Sequence, residues 1–360
     1  MLYNTSIMDS PPSVDISVIM PVHNAQPFLE EALQIEVSAF DDASTDSSGQ
    51  TLQRFRERCQ SLGKGRRLRV TLGARLESTP GGVGHSKNRA VEQSAGRFLC
   101  FLDADDVMLP QRLCRQLEAA LDAGPLALVG ARFVRRPASS TARYTAWANR
   151  LSPTQLQRQI YTSHGPTVVA PTWFCSRELF DKVGGFVERR SGFPEDLVFF
   201  YRALELGASV RRVDDCLVQY RYHSACATLG VDERTIWTLR VAELERRVLS
   251  CERWRTFVIW NAGKQGRRLF WSLAACHRDR VAAFCDVDAK KLALGFYQRF
   301  DKPPSGSASR PSSRRVPILP LAQVKPPVVV CVKLDMTGGN FERLLRDTGW
   351  TEGDDFVLFS

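Results

Sequence analysis

Phe98–Asp106 reads FLCFLDADD. An uninterrupted apolar stretch runs straight into three carboxylates, Asp103, Asp105 and Asp106. FLCFL lacks the alternation of a half-exposed strand, so it reads as a strand buried on both faces, the kind found in parallel α/β sheets. Such a strand delivers its last residues to the carboxyl edge of the sheet, where open α/β folds bind ligands. Carboxylates packed this closely repel one another. A hard divalent cation shared with phosphate oxygens removes the conflict, and Mg²⁺ or Mn²⁺ has that chemistry. Capping of a helix that starts at Pro110 is the plainer use of an Asp here, but it accounts for one carboxylate and not three.

Outward from this stretch, strand-like and helix-like segments alternate, which predicts an α/β architecture with parallel strands. Upstream, Asp15–Pro21 is a strand-like run, Gln26–Gln34 a helix and Ile35–Phe40 a second strand. Ser44–Ser61 reads as a helix, Arg69–Leu72 as a strand and His85–Ser94 as a helix. Downstream come a Pro-opened helix at Pro110–Ala123, a strand at Leu126–Val129 and an irregular Arg135–Arg150. Thr167–Phe174, a helix at Glu195–Leu206 and strands at Ser209–Val213 and Leu217–Tyr222 complete a first domain, residues 14–225. Asp232–Leu249 spaces Ile236, Leu239, Val241, Leu244 and Val248 helically and reads as a connecting helix within 226–253. A second α/β set fills 254–360. Its strands are Phe257–Trp260, Val281–Cys285, Val328–Val332 and Phe356–Phe359, and its helices Lys264–His277 and Phe341–Thr348. Pro303–Arg315 (PPSGSASRPSSRR) predicts a mobile loop over 301–316, and residues 1–13 a flexible N-terminus.

Length supports this division, because 360 residues exceed one ordinary core. The net charge of +10 suits an anionic partner such as a nucleotide diphosphate. The basic residues are nonetheless scattered. Their densest cluster, Lys64–Arg69, has no interleaved aromatics, so nucleic acid is not an expected partner. No run of about 20 apolar residues predicts a transmembrane segment, and the polar N-terminus has no signal-peptide core. Ten cysteines occur singly without a CxxC pair, which fits free thiols in a reducing compartment and predicts a cytoplasmic protein.

Five further fragments surround FLDADD in a fixed order: Ser17–Asn24 (SVIMPVHN), Asp41–Asp46 (DDASTD), Gly84–Ala90 (GHSKNRA), Val183–Phe186 (VGGF) and Pro194–Asp196 (PED). Over about the first 225 residues this set resembles the family 2 glycosyltransferases of the GT-A fold, and within them the animal β-1,3-N-acetylglucosaminyltransferase-like members. The resemblance implies a nucleotide-diphospho-sugar transferase domain, a Rossmann-like mixed sheet, followed by a small Rossmann-like α/β domain. It also implies inverting transfer of GlcNAc or a related hexose from a UDP-sugar to a hydroxyl of a carbohydrate, protein or small-molecule acceptor, with Mn²⁺ or Mg²⁺ as cofactor.

Carried onto this chain, the family pattern sets Pro21 and Asn24 against the nucleobase and ribose, and Asp42 as acceptor of a hydrogen bond from uracil. Lys87 would face the base or diphosphate. Asp103 would lie near the ribose, with Ala104 beside it, and Asp105 would ligate the metal. Asp196 would be the catalytic base, paired with Glu195, and His223 of YRYH would close over the diphosphate or metal. Inverting transfer needs one carboxylate to take the acceptor proton and one cation to offset charge on the departing diphosphate, so no nucleophile triad is required. Local readings stand beside these roles. Asp41–Asp46 is also a helix N-cap sequence, Asn24 a turn residue, Glu195–Asp196 a complement to a helix dipole, and a His after a strand is often a surface residue.

Two features complicate the pattern. Trp260–Arg268 (WNAGKQGRR) places Asn261, Gly263 and Gly266 where a dinucleotide turn has three glycines, with Asp286 after the next strand. The Asn261 side chain occupies the tight turn, which favours a structural or docking role over an oxidoreductase. The stretch between Val22 and Ile35 is also short for a helical crossover. It predicts a displaced Asp42 and, as the alternative function, a nucleotide-sugar-binding protein with impaired turnover.

Overall fold

The computed structural model describes residues 16–24, 37–61, 69–162, 165–190, 192–300 and 313–360. The chain divides into two compact units, Met1–Gln157 with Pro166–Asp232, and Arg158–Gly165 with Glu233–Ser360. The cut at Asp232/Glu233 falls inside the segment expected to connect two domains.

The first unit is built on eight strands: β1 Ile16–Val22, β2 Val37–Asp41, β3 Val70–Ala74, β4 Phe98–Phe101, β5 Val107–Met108, β6 Ala127–Arg136, β7 Phe174–Ser176 and β8 Ser209–Arg221. They lie in the order β3-β2-β1-β4-β7-β6-β8-β5. β3, β2, β1 and β4 are parallel. β7 runs antiparallel between β4 and β6, and β5 antiparallel on β8. The sheet is therefore mixed rather than the wholly parallel one that alternation alone suggests. The helices are α1 Ser48–Ser61, α2 Val83–Glu92, α3 Arg112–Ala123, α4 Ala142–Arg150, α5 Pro153–Arg158, α6 Arg177–Val183 and α7 Glu195–Glu205. Val18, Met20, Val22, Phe98, Cys100 and Leu102 form the middle of one core layer. β4 is buried at every residue, as its unbroken apolar run requires.

Three expectations change. Arg135–Arg150 is not irregular: it finishes β6 and then forms α4. The two strands expected at Ser209–Val213 and Leu217–Tyr222 are one strand, β8. Its register on β6 shifts around Asp214 and Asp215, a bulge in the gap left between the two expected strands. The helix expected at Gln26–Gln34 lies outside the described residues, but β2 pairs with β1 from Val18↔Val37 to Val22↔Asp41. The Asp42 N–H then donates to Val22 O at 2.8 Å, so the displaced Asp42 is not what the structure has.

The second unit has six strands: β9 Phe257–Trp260, β10 Val281–Asp286, β11 Phe296–Phe300, β12 Ser313–Pro320, β13 Val328–Val330 and β14 Phe356–Leu358. Their order is β11-β12-β10-β9-β13-β14. The five parallel strands follow the 3-2-1-4-5 succession of a Rossmann half-sheet, with β11 antiparallel at the edge. Its helices are α8 Glu233–Leu244, α9 Lys264–Ser272, α10 Ala275–Arg278, α11 Ala289–Leu292 and α12 Asn340–Asp347. The single helix expected at Lys264–His277 is broken at Leu273 into α9 and α10. Residues 313–316 of the expected mobile loop are strand, paired to β11, and 301–312 lie outside the described residues. Among the described residues no helix is long and apolar enough to cross a membrane.

Candidate active site

The carboxyl ends of β1 and β2 are tied together by the residues expected to meet the nucleotide. Asn24 takes a left-handed backbone, φ 46°, which Asn tolerates better than most residues. Its Oδ1 accepts from Thr45 N at 2.8 Å, and its own N–H donates to Ser44 Oγ at 2.9 Å. Pro21 pairs beside Phe40 one step before this turn. Asp42 is 2% exposed, and its two carboxylate oxygens accept from Gly81 N at 2.9 Å and Gly82 N at 2.8 Å. Asp42 thus fixes the turn that opens α2.

α2 is locked to the VGGF loop by its own side chains. Asn88 Nδ2 donates to Phe186 O at 2.9 Å, and its Oδ1 accepts from Phe186 N at 2.9 Å. A Cβ on Gly84 would collide with Val187 O, so only glycine permits this approach. Glu188 accepts from Asn88, His85 and Arg89; these bonds outweigh the opposing effect of its burial and hold its carboxyl down at about 2. The lock carries Lys87 into the interior. Its Nζ lies 3.1 Å from Glu195 Oε1, 3.9 Å from Asp103 Oδ1 and 5.2 Å from the centre of the Phe186 ring. Burial pulls the Lys87 pKa down, but Asp103, Glu195 and Asp196 together raise it above the ordinary lysine value. Lys87 therefore joins two motifs distant in sequence, DADD and PED, rather than standing free to meet a ligand.

Beyond β4 the three carboxylates and Ala104 form a turn closed by Asp106 N donating to Asp103 O at 3.0 Å. One oxygen from each of Asp103, Asp105 and Asp106 falls within a 4.8 Å cluster, and so do ligand atoms of Asp105, His223 and Cys226. His223 Nε2 is 2.8 Å from Asp105 Oδ2. Asp106 is fully buried: its Oδ1 accepts from Arg221 N at 2.8 Å, while Oδ2 has no partner. Burial and the neighbouring carboxylates push Asp106 well above the usual range. Asp103 is pushed up to about 6 by burial, with Lys87 opposing and Asp105 and Glu195 adding. An orphaned buried oxygen among mutually repelling hard donors fits a divalent cation of the Mg²⁺ or Mn²⁺ class. Cys226, three residues after His223, was not singled out from the sequence, where a single cysteine carries no spacing signal.

Asp196 occupies the first turn of α7. Its Oδ1 accepts from Leu197 N at 2.7 Å. Burial first and Glu195 second push its carboxyl up to about 6, against the pull of Lys87. A carboxylate near neutrality beside an acidic cation cradle is suited to taking a proton from a hydroxyl.

The second unit holds no comparable arrangement at its glycine turn. Asn261 takes φ 123°, and its side chain spans the turn, accepting from Gly263 N at 2.7 Å and donating to Cys331 O at 2.9 Å. Asp286 accepts from Ala262 N, Val287 N, Asp288 N and Lys291 Nζ. The donors and the acid that would hold a dinucleotide are thus used internally, which removes the basis for an oxidoreductase.

Comparison with known proteins agrees with the first unit. The chain is 25% identical over 221 residues to the uncharacterized glycosyltransferase EpsJ of Bacillus subtilis, a match covering 57% of this chain and 60% of EpsJ. It is 31% identical over 108 residues to the poly(ribitol-phosphate) β-N-acetylglucosaminyltransferase TarS of Staphylococcus aureus, covering 27% of this chain and 17% of TarS. Less than two thirds of either relative is therefore spanned. Among solved structures, an S. aureus TarS fragment in complex with UDP-GlcNAc superposes with a TM-score of 0.48 at 19% identity, covering 73% of this chain and 71% of that one. The mannosyltransferase PcManGT of Pyrobaculum calidifontis, in complex with GDP-Man and Mn²⁺, gives 0.47 at 20% identity over 68% and 69%. The nearness to animal members expected from the sequence finds no support in these relatives. Residues 17–184 match the model of glycosyl transferase family 2.

Proposed function

We propose that this protein is a metal-dependent inverting glycosyltransferase that moves a hexose, with GlcNAc the first candidate, from a UDP-sugar to an acceptor hydroxyl. The observation that carries the proposal is Asp196: a carboxyl raised to about 6, linked through Lys87 to the acidic turn after β4. The name of the S. aureus relative TarS supports GlcNAc as the donor to test first.

In this reading Asp196 takes the acceptor proton as that oxygen attacks the anomeric carbon from the face opposite the diphosphate. One displacement with one base gives inversion. Asp103 and Asp105, with His223 and the orphaned oxygen of Asp106 nearby, would hold Mn²⁺ or Mg²⁺, which when bound offsets charge growing on the diphosphate. Lys87 and Glu195 position Asp196 and Asp103 relative to each other. Asn24 and Asp42 shape the nucleotide edge through the turns they fix. The ten unpaired cysteines favour a reducing compartment for this activity, the cytoplasm.

The test is a panel of UDP-sugars with Mn²⁺, scored by UDP release, since donor hydrolysis needs no acceptor. Release from one sugar is expected, together with a roughly hundredfold or greater fall in Asp196→Asn at unchanged UDP affinity. Tight UDP binding with no release from any sugar would leave the binding-protein alternative standing instead.

A further inference from the structure

The stretch Arg135–Arg150 holds no motif legible in sequence, yet its first residue is enclosed by aromatic rings. The β6/β8 register sets Arg135 beside Tyr220, and α4 brings Tyr144 to the same place. The Arg135 guanidinium carbon lies 3.8 Å from the Tyr220 ring centre and 5.4–5.5 Å from those of Phe133, Tyr144 and Tyr222. Such rings stack on the planar cation and fix its orientation. Only 8% of the residue is exposed, and Nε and Nη1 are buried without a hydrogen-bond partner among the described residues. A buried cation with unused in-plane donors is uncommon unless something else completes it.

Its surroundings place it by the chemistry already described. Tyr220 directly precedes Arg221, whose N–H holds Asp106. Burial pushes the Tyr144 hydroxyl up, while Arg135 pulls it down and Asp196 adds to the rise, so the cage lies within electrostatic reach of the proposed base.

We propose that Arg135 anchors an anionic group of the acceptor, a phosphate or a carboxylate, close to the hydroxyl that Asp196 deprotonates. The proposal rests on the transferase reading above. Its reason is geometric: a stacked guanidinium keeps its fork of N–H donors in one plane, and that fork matches two oxygens of one anion. Nε and Nη1 are covered as the structure stands, so an anion reaches the fork only when the cage opens on one side, while the remaining rings keep the guanidinium plane fixed. The structural alternative makes Arg135 a mere counter-charge to Asp106, which predicts no preference among acceptors.

The experiment uses the full chain with Mn²⁺ and saturating UDP. Calorimetric titration compares glycerol 3-phosphate with glycerol, and glucuronate with glucose. At least tenfold tighter binding of the anionic member of one pair is expected, and the pair concerned identifies the anion as phosphate or carboxylate. Arg135→Gln should abolish the preference, and Arg135→Lys, keeping charge but not the fork, should retain part of it. Equal binding within both pairs by the wild-type protein overturns the proposal without recourse to a variant. So does a preference that survives in folded Arg135→Gln, or a loss of UDP affinity there, which would assign Arg135 to the donor. UDP release from the donor without acceptor is read separately. An anion preference without release upholds the anchor and removes the transferase, whereas release without preference does the reverse.

Discussion

Lys87 is the residue on which the site's charge balance turns. It is 3% exposed and lies among Asp103, Glu195 and Asp196, so removing it leaves carboxylates in low dielectric without their cation. Lys87→Met should destabilise the first unit by about 3–5 kcal/mol in denaturant titration, the usual cost of breaking a buried pair from one side. Asp196 carries the opposite sign. Its folded pKa, about 6, is above that of the unfolded chain, so the folded state holds more protons between about pH 4 and 6. Stability contributed by this group is present at pH 4 and is lost as pH rises through 6. Asp196→Asn should therefore be more stable than wild type at pH 7.5, by roughly 1–3 kcal/mol, with the gain vanishing near pH 4. The rate follows the reverse course, since only the carboxylate accepts a proton: UDP-sugar turnover should climb through pH 6 and level off above it. A turnover flat from pH 5 to 8 would remove Asp196 as the base.

At the scale of elements, α2 is the part that docks one motif on another. Asn88 clasps the Phe186 backbone, and Gly84 allows the Val187 carbonyl to approach the helix. Gly84→Ala keeps helix propensity and even improves it, yet its methyl group meets a backbone oxygen that cannot rotate away. A cost of about 1–3 kcal/mol is expected, read as a lower Tm, with weaker UDP binding because Lys87 shifts with the helix. The cap of α6 offers a cleaner control distant from the chemistry. Ser176 Oγ accepts from Leu179 N at 2.9 Å and donates to Pro125 O at 2.6 Å. Ser176→Ala should cost about 1–2 kcal/mol and leave UDP affinity unchanged.

At the scale of the molecule, the second unit depends on residues contributed from far upstream. Arg158 donates to Glu352 O, Ser360 N donates to Tyr161 O at 3.1 Å, and Tyr161 is only 4% exposed. A fragment of 233–360 lacks these contacts and should melt below the same unit in the whole chain. Tyr161→Ala should lower the transition of this unit by about 3–5 kcal/mol through the cavity it leaves. Calorimetry of the full chain is the measurement; an unchanged second-unit transition would mean that 158–162 is not part of its core.

Local chemistry determined much by itself. The short unbroken run FLCFL read as a buried strand, which placed the carboxylates after it at the carboxyl edge of the sheet, and β4 is that strand. Asn261 in place of a glycine already argued against a dinucleotide turn, and the filled turn agrees. What the sequence could not carry were relations between distant segments. Nothing local marks Lys87 as the link between Asp103 and Glu195, because burial decides whether a lysine faces ligand or carboxylate. Asp214 and Asp215 interrupt the apolar pattern of one strand and so split it in two on the page, and only pairing with β6 shows a bulge in a continuous strand. Arg135 looked like one arginine among many in a basic chain. Its partners are rings from β6, α4 and β8, and aromatic residues have no spacing in sequence that announces a cage assembled by sheet register.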